Sequence, residues 1–225
     1  MTITVILLAG ELIALFFLSR RVIQTIYTIV HVALHSRPVG ISIISLIFFP
    51  GTVIHELSHL FVAEILGVRT GNLTLVPESI ESTDVRTGSV AISQTDPLRR
   101  TLIGLSPIFV GLLTLLTLSY LHSTQFVNNT TITIVYYYLI FSISNSMFSS
   151  KEDLKGVWPV LGLIALVGIG AYVVGFRAQL TGQVLTVTET ILSALFTSLT
   201  LVLALNGAIL LVFSVLIGLI GKIRR

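Results

Sequence analysis

The sequence predicts an all-α polytopic membrane protein of about six transmembrane helices, with one small β-hairpin inserted after the second helix. Three observations carry that prediction. Of 225 residues, 54% are hydrophobic and 10% charged, against about 25% charged in soluble domains. The mean hydropathy is +1.00, and the apolar residues fall in long runs rather than in amphipathic stripes. Within the longest polar stretch, residues 68–97, residues 72–76 and 88–93 alternate apolar and polar residues with a period of two. The net charge of +3 calls for no nucleic-acid partner. Its basic residues sit at the ends of apolar runs, where they set topology and meet lipid headgroups. Cysteine is absent, which excludes disulfides and leaves His, Asp, Glu and water as the candidate metal ligands.

The first helix is expected over residues 2–18, ending at Arg20 and Arg21, with Glu11 inside it. The run lacks a basic leader and a small-residue cleavage site, so it reads as a retained helix. Residues 22–34 either continue it or lie at the interface, with His31 and His35 near their end. The second helix covers residues 40–66, with a kink or break expected at Pro50-Gly51, where a ladder hydrogen bond is lost. The polar stretch follows. Residues 72–76 and 88–93 are its strands, and Pro77, Glu78, Ser79, Glu81, Ser82, Thr83 and Asp84 fill the loop between them. Further helices are expected over residues 101–121, 132–148, 157–176 and 190–221, with polar loops at 122–131 and 177–189. The whole chain, 1–225, reads as a single integral membrane domain. Counting Lys and Arg in the loops places both termini in the cytoplasm with six spans, and puts His55 and Asp153 on the same side of the membrane.

Inside the second helix stands His55-Glu56-Leu57-Ser58-His59, the pattern H-E-x-x-H. At about 100° per residue the two histidines lie roughly 40° apart on one face, with Glu56 roughly 60° beyond His59. Two neutral imidazoles so placed hold one metal ion, and the carboxylate reaches water bound to it; this is the mechanics of a zinc metalloprotease motif. His and Glu are costly within a membrane unless they have a function. Glu64, on the opposite face, is excluded as a further ligand, and Val62 and Ile65 exclude the extended three-histidine motif. A third ligand must come from elsewhere. Glu152 is available, and Asp153, at the end of an apolar helix and eight residues after Asn145, is preferred.

These elements resemble a site-2-protease-type intramembrane zinc metalloprotease. His55–His59 matches the family's zinc helix. Leu105-Ser106-Pro107 with Gly111 resembles its Gly-Pro element, and Asn145 to Asp153 keeps its Asn-to-Asp separation. The family's segment reads Asn-x-x-Pro and ends Asp-Gly; here Phe148 and Leu154 occupy the Pro and Gly positions. The resemblance covers roughly residues 40–158 and leaves the helices at 2–34, 157–176 and 190–221 outside it. It implies one zinc ion per chain held by His55, His59 and Asp153, with Glu56 as general base on a zinc-bound water and Asn145 as a donor to the substrate backbone or the oxyanion. The implied activity is hydrolysis of peptide bonds in membrane-protein substrates within the lipid bilayer. In lipid, an unwound substrate leaves polar groups unpaired, and a strand edge from the hairpin would pair with it. The alternatives are a non-proteolytic metal-binding membrane scaffold or regulator, and an ion-coupled transporter using Glu11, His55, Glu56 and Asp153.

Overall fold

The computed structural model describes residues 2–75, 80–81, 84–85, 89–123, 129–148, 153, 157–175 and 182–223. These form six helices: α1 (Thr2–Leu34), α2 (Arg37–Ile65), α3 (Pro97–Ser123), α4 (Thr130–Ser146), α5 (Val157–Val173) and α6 (Gly182–Ile223). Between α2 and α3 lie four short strands: β1 (Thr70–Thr74), β2 (Ile80–Glu81), β3 (Asp84–Val85) and β4 (Ser89–Ile92). The fold is mostly helical, as the composition requires. Four helices, α1, α2, α3 and α6, are long and apolar enough to cross a membrane. The 17 residues of α4 and of α5 would each give roughly 26 Å of helix, short of a hydrocarbon core of roughly 30 Å.

Several boundaries differ from expectation, each for a local reason. The run after Arg21 takes the first of its two expected courses and continues the helix past residue 18, so α1 is one rod of 33 residues. Arg20 does not end it because its guanidinium lies over the Phe16 ring, 4.4 Å from the centroid and one turn back. The turn into α2 is His35-Ser36; His35 has φ 52°, and a proline then opens the helix at its first turn. Helix α3 begins at Pro97 instead of 101 because Asp96 Oδ1 accepts the Arg99 N–H at 2.9 Å. Helix α6 starts at Gly182, eight residues before the expected 190. The threonines that make this stretch look like a loop bond back to their own helix: Thr188 to the Val184 carbonyl at 2.8 Å and Thr190 to Thr186 at 2.9 Å.

The hairpin is present with an inner extension. β1 pairs antiparallel with β4, Leu73 opposite Val90 and Thr74 opposite Ser89, with an irregularity between Thr70 and Leu73. β2 pairs with β3 as a separate two-stranded ribbon. Of the loop expected between the strands, Pro77, Glu78, Ser79, Ser82 and Thr83 lie outside the described residues, as do Lys151, Glu152, Leu154 and residues 177–181 of the loop at 177–189.

Beside a small cluster of Ala63, Val68 and Ile103, the core has two larger apolar clusters among the described residues. One joins Leu8 and Leu15 of α1, Leu115 of α3, Ile140, Met147 and Phe148 at the α4 end, and Leu199 and Val202 of α6. The other packs Val22, Ile23 and Ile26 of α1 on Ile44 and Phe48 of α2 and Phe141 of α4. Phe148 sits edge-on to Phe16, with ring centroids 5.8 Å apart. The residue standing where the resemblance expects proline therefore anchors the end of α4 on α1.

Candidate metal centre

Two glycines let the backbone close up around the second half of α2. A Cβ on Gly51 would meet the Ser142 carbonyl oxygen of α4 at 2.2 Å, and one on Gly104 would meet the Asp153 carbonyl oxygen at 2.3 Å. Both are backbone atoms, so neither position has room for a side chain. Gly51 lies beside Pro50, and its N–H donates to Ser142 Oγ at 3.0 Å rather than serving α2 alone. Gly104 brings α3 against the turn that carries Asp153. The helix-breaking residues that the sequence shows thus become close-approach points between α2, α3, α4 and that turn.

Along α2, the buried polar residues are Thr52, His55, Glu56, Ser58 and His59, each 2–4% exposed. They form the face that packs on α3 and α4. His55 Nε2 and His59 Nε2 are 3.1 Å apart, and Asp153 Oδ2 lies 3.3 Å from the first and 3.5 Å from the second. His59 Nδ1 is 2.8 Å from the Ile103 carbonyl of α3. Asp153 Oδ2 is buried and makes no hydrogen bond of good geometry among the described residues. Burial pushes the Asp153 carboxyl up, but the imidazoles beside it outweigh this and lower it to about 2. It is therefore ionised at neutral pH, as a ligand must be.

A tetrahedral metal bonded at zinc-like distances spaces its ligand atoms about 3.4 Å apart. The three separations here bracket that value. His55, His59 and Asp153 form a buried group able to hold a metal ion, with each residue's ligand atom within 4.8 Å of the others. All three were singled out in the sequence, and the structure brings them together. Glu64 is exposed, as its place on the helix requires. No family model, curated protein or solved structure matches this chain. The chemistry of the centre has to be read from its own atoms.

A cavity of about 630 Å³ opens on the centre. His59, Gly104 and Asp153 line it together with Val90 and Ile92 of β4 and the cation Arg100. Its size suits an extended segment of peptide or a small ligand. The hairpin is therefore part of the cavity wall, as its position after α2 suggested.

Asn145 is placed differently from expectation. It is 1% exposed. Its Nδ2 donates to the Phe141 carbonyl at 2.8 Å and to Asn206 Oδ1 of α6 at 3.0 Å, and its Oδ1 accepts from Asn206 Nδ2 at 2.9 Å. Both amide hydrogens are thus committed to helix packing, and no donor is left for a substrate or an oxyanion. Glu11 likewise does not join the metal group; its Oε1 accepts from Thr200 on α6 at 2.5 Å. Two contributors were missed by sequence reasoning. The Ile103 carbonyl is a backbone group without a signature of its own. Thr52, 2% exposed, has no hydrogen-bond partner for its hydroxyl among the described residues. Its signal was available: it lies one turn before Glu56 on the same face.

Proposed function

We propose that the chain is a zinc-dependent intramembrane endopeptidase of the site-2-protease type. The observation that carries this reading is the triangle of His55, His59 and Asp153, with edges of 3.1, 3.3 and 3.5 Å, adjoining the buried carboxylate Glu56. Two neutral imidazoles and one carboxylate are a ligand set that suits zinc and leaves a position open for catalysis. Zinc held there supplies Lewis acidity, lowering the pKa of a water to about 7 and polarising a carbonyl.

Glu56 takes the proton from the water as its oxygen bonds to the scissile carbonyl carbon. It returns that proton to the nitrogen as the C–N bond breaks. The free acid and the free amine are the products. β4 supplies a strand edge beside the centre. An unwound substrate helix, otherwise left with unpaired polar groups in lipid, pairs there in extended form. The exposed apolar surfaces of α1, α2 and α3 face lipid, and both termini lie in the cytoplasm, as the distribution of basic residues favours.

The test is Glu56→Gln in the full chain, purified in detergent and reconstituted with a panel of single-span reporter peptides. Cleavage, read by mass spectrometry, is expected to fall about 10²- to 10⁴-fold, with zinc per chain unchanged. Cleavage equal to wild type would overturn the assignment of Glu56. A wild-type chain that holds zinc and cleaves nothing in the panel would favour a metal-binding scaffold.

A further inference from the structure

Each of the two prolines within the long helices leaves one carbonyl without its helical donor. In an α-helix the N–H of residue i bonds the carbonyl of residue i−4. Pro50 therefore leaves Leu46 unbonded, and Pro107 leaves Ile103. In an apolar surround such a carbonyl must find another donor, and each finds one on a different helix. The Leu46 carbonyl accepts the Tyr138 hydroxyl of α4 at 3.2 Å. The Ile103 carbonyl accepts from Ser106 Oγ at 2.6 Å within its own turn and meets His59 Nδ1 of α2 at 2.8 Å. The first contact joins two helices; the second reaches an imidazole of the metal group.

A neutral imidazole carries one ring proton, and a carbonyl only accepts. Contact with Ile103 therefore places the proton on Nδ1 and leaves the lone pair on Nε2. Nε2 is the atom that faces His55 Nε2 and Asp153 Oδ2. We infer that Pro107 is a positioning residue of the metal centre. By removing one amide hydrogen from α3, it frees the Ile103 carbonyl to hold His59 in the tautomer and ring orientation that ligate through Nε2. The proline ring also crowds the carbonyl four residues back and tilts it out of the ladder. Ile103 is 1% exposed, so water does not compete for the bond. The Ser58 and Ser106 hydroxyls, 3.3 Å apart, close the same α2–α3 seam. The consequence for metal binding rests on the zinc reading; the consequence for the tautomer does not.

Pro107→Ala restores an N–H that competes for the Ile103 carbonyl, and alanine favours the helix, so the fold is kept. Ser106→Ala removes the neighbouring hydroxyl and keeps the proline. Both are compared with wild type in the full chain in detergent, by ¹⁵N chemical shifts of the His59 ring in metal-free protein and by zinc affinity against a competing chelator. Wild type is expected to show the Nδ1–H tautomer alone. Pro107→Ala is expected to show a mixture of tautomers and zinc binding weakened about 10- to 100-fold, the range for outer-shell partners of a ligand, with Ser106→Ala within about threefold of wild type. An unmixed Nδ1–H tautomer or an unchanged zinc affinity in Pro107→Ala overturns the inference. So does an equal loss in Ser106→Ala, which would mark a general loosening of the seam. If wild type takes up no zinc, the zinc reading fails, and the tautomer comparison alone decides the role of Pro107.

Discussion

The α2–α3–α4 group and the α1–α6 pair are both built from apolar helices, yet they are held together differently. At the first, helices touch backbone to backbone and exchange polar bonds: Gly51 against Ser142, Gly104 against the Asp153 turn, and His59 onto Ile103. At the second, α1 and α6 meet largely through apolar side chains such as Leu8, Leu15, Leu199 and Val202, with Glu11–Thr200 as a polar cross-link. Apolar packing tolerates small shifts, because no single atom pair carries much of it. Backbone contacts without an intervening Cβ do not, and the metal group is mounted on them. The difference teaches where close backbone contact is concentrated: at the half of α2 that carries His55, Glu56 and His59.

Changes of increasing mildness test that contrast. The largest effect is expected from Gly104→Ala. Its Cβ would meet a backbone oxygen of Asp153 at 2.3 Å, so the turn must move by roughly 1 Å, a displacement worth about 10²-fold in turnover. Alanine favours the helix, so the variant stays folded, and cleavage assays with circular dichroism would separate the two effects. Next comes the amide pair. Asn206→Ala strands the buried Asn145 amide and should destabilise the protein by about 0.5–2 kcal/mol. Asn145→Ala should cost a similar amount, and the two should match in turnover. Turnover far lower in Asn145→Ala than in Asn206→Ala would return Asn145 to the reaction, against its hydrogen bonding here. The smallest effect is expected from Thr200→Val, which removes the donor to Glu11. Zinc affinity and turnover should stay at wild-type levels. A drop in either would show that α1 and α6 are coupled to the centre after all.

Hydroxyl-bearing residues show why part of this arrangement was illegible in advance. The threonines of early α6 are exposed and bond back to their own helix. Ser142, Ser144, Asn145 and Ser146 of α4 are at most 2% exposed. In sequence both are polar residues scattered through apolar runs. One stretch read as a loop and proved helical. The other contained Asn145, read as a donor for catalysis and found bonded to Asn206, which lies 61 residues away in sequence. A hydrogen bond to a residue so distant has no local pattern.

What the sequence determined by itself is whatever depends on short spacings and on composition. The membrane class follows from the dearth of charge, the shared face of His55, Glu56 and His59 from the helical period, and the hairpin from a period of two; the break expected at Pro50-Gly51 is absent, because α2 runs through it as one helix. Tertiary structure decided the rest. It brought Asp153 to within 3.5 Å of both imidazoles, turned the Ile103 carbonyl toward His59, and bound the Asn145 amide to α6. The physical reason is range. Helix geometry fixes neighbours three or four residues away, whereas a ligand triangle closes only when separate helices pack, and that depends on which glycines leave room for the backbones to meet.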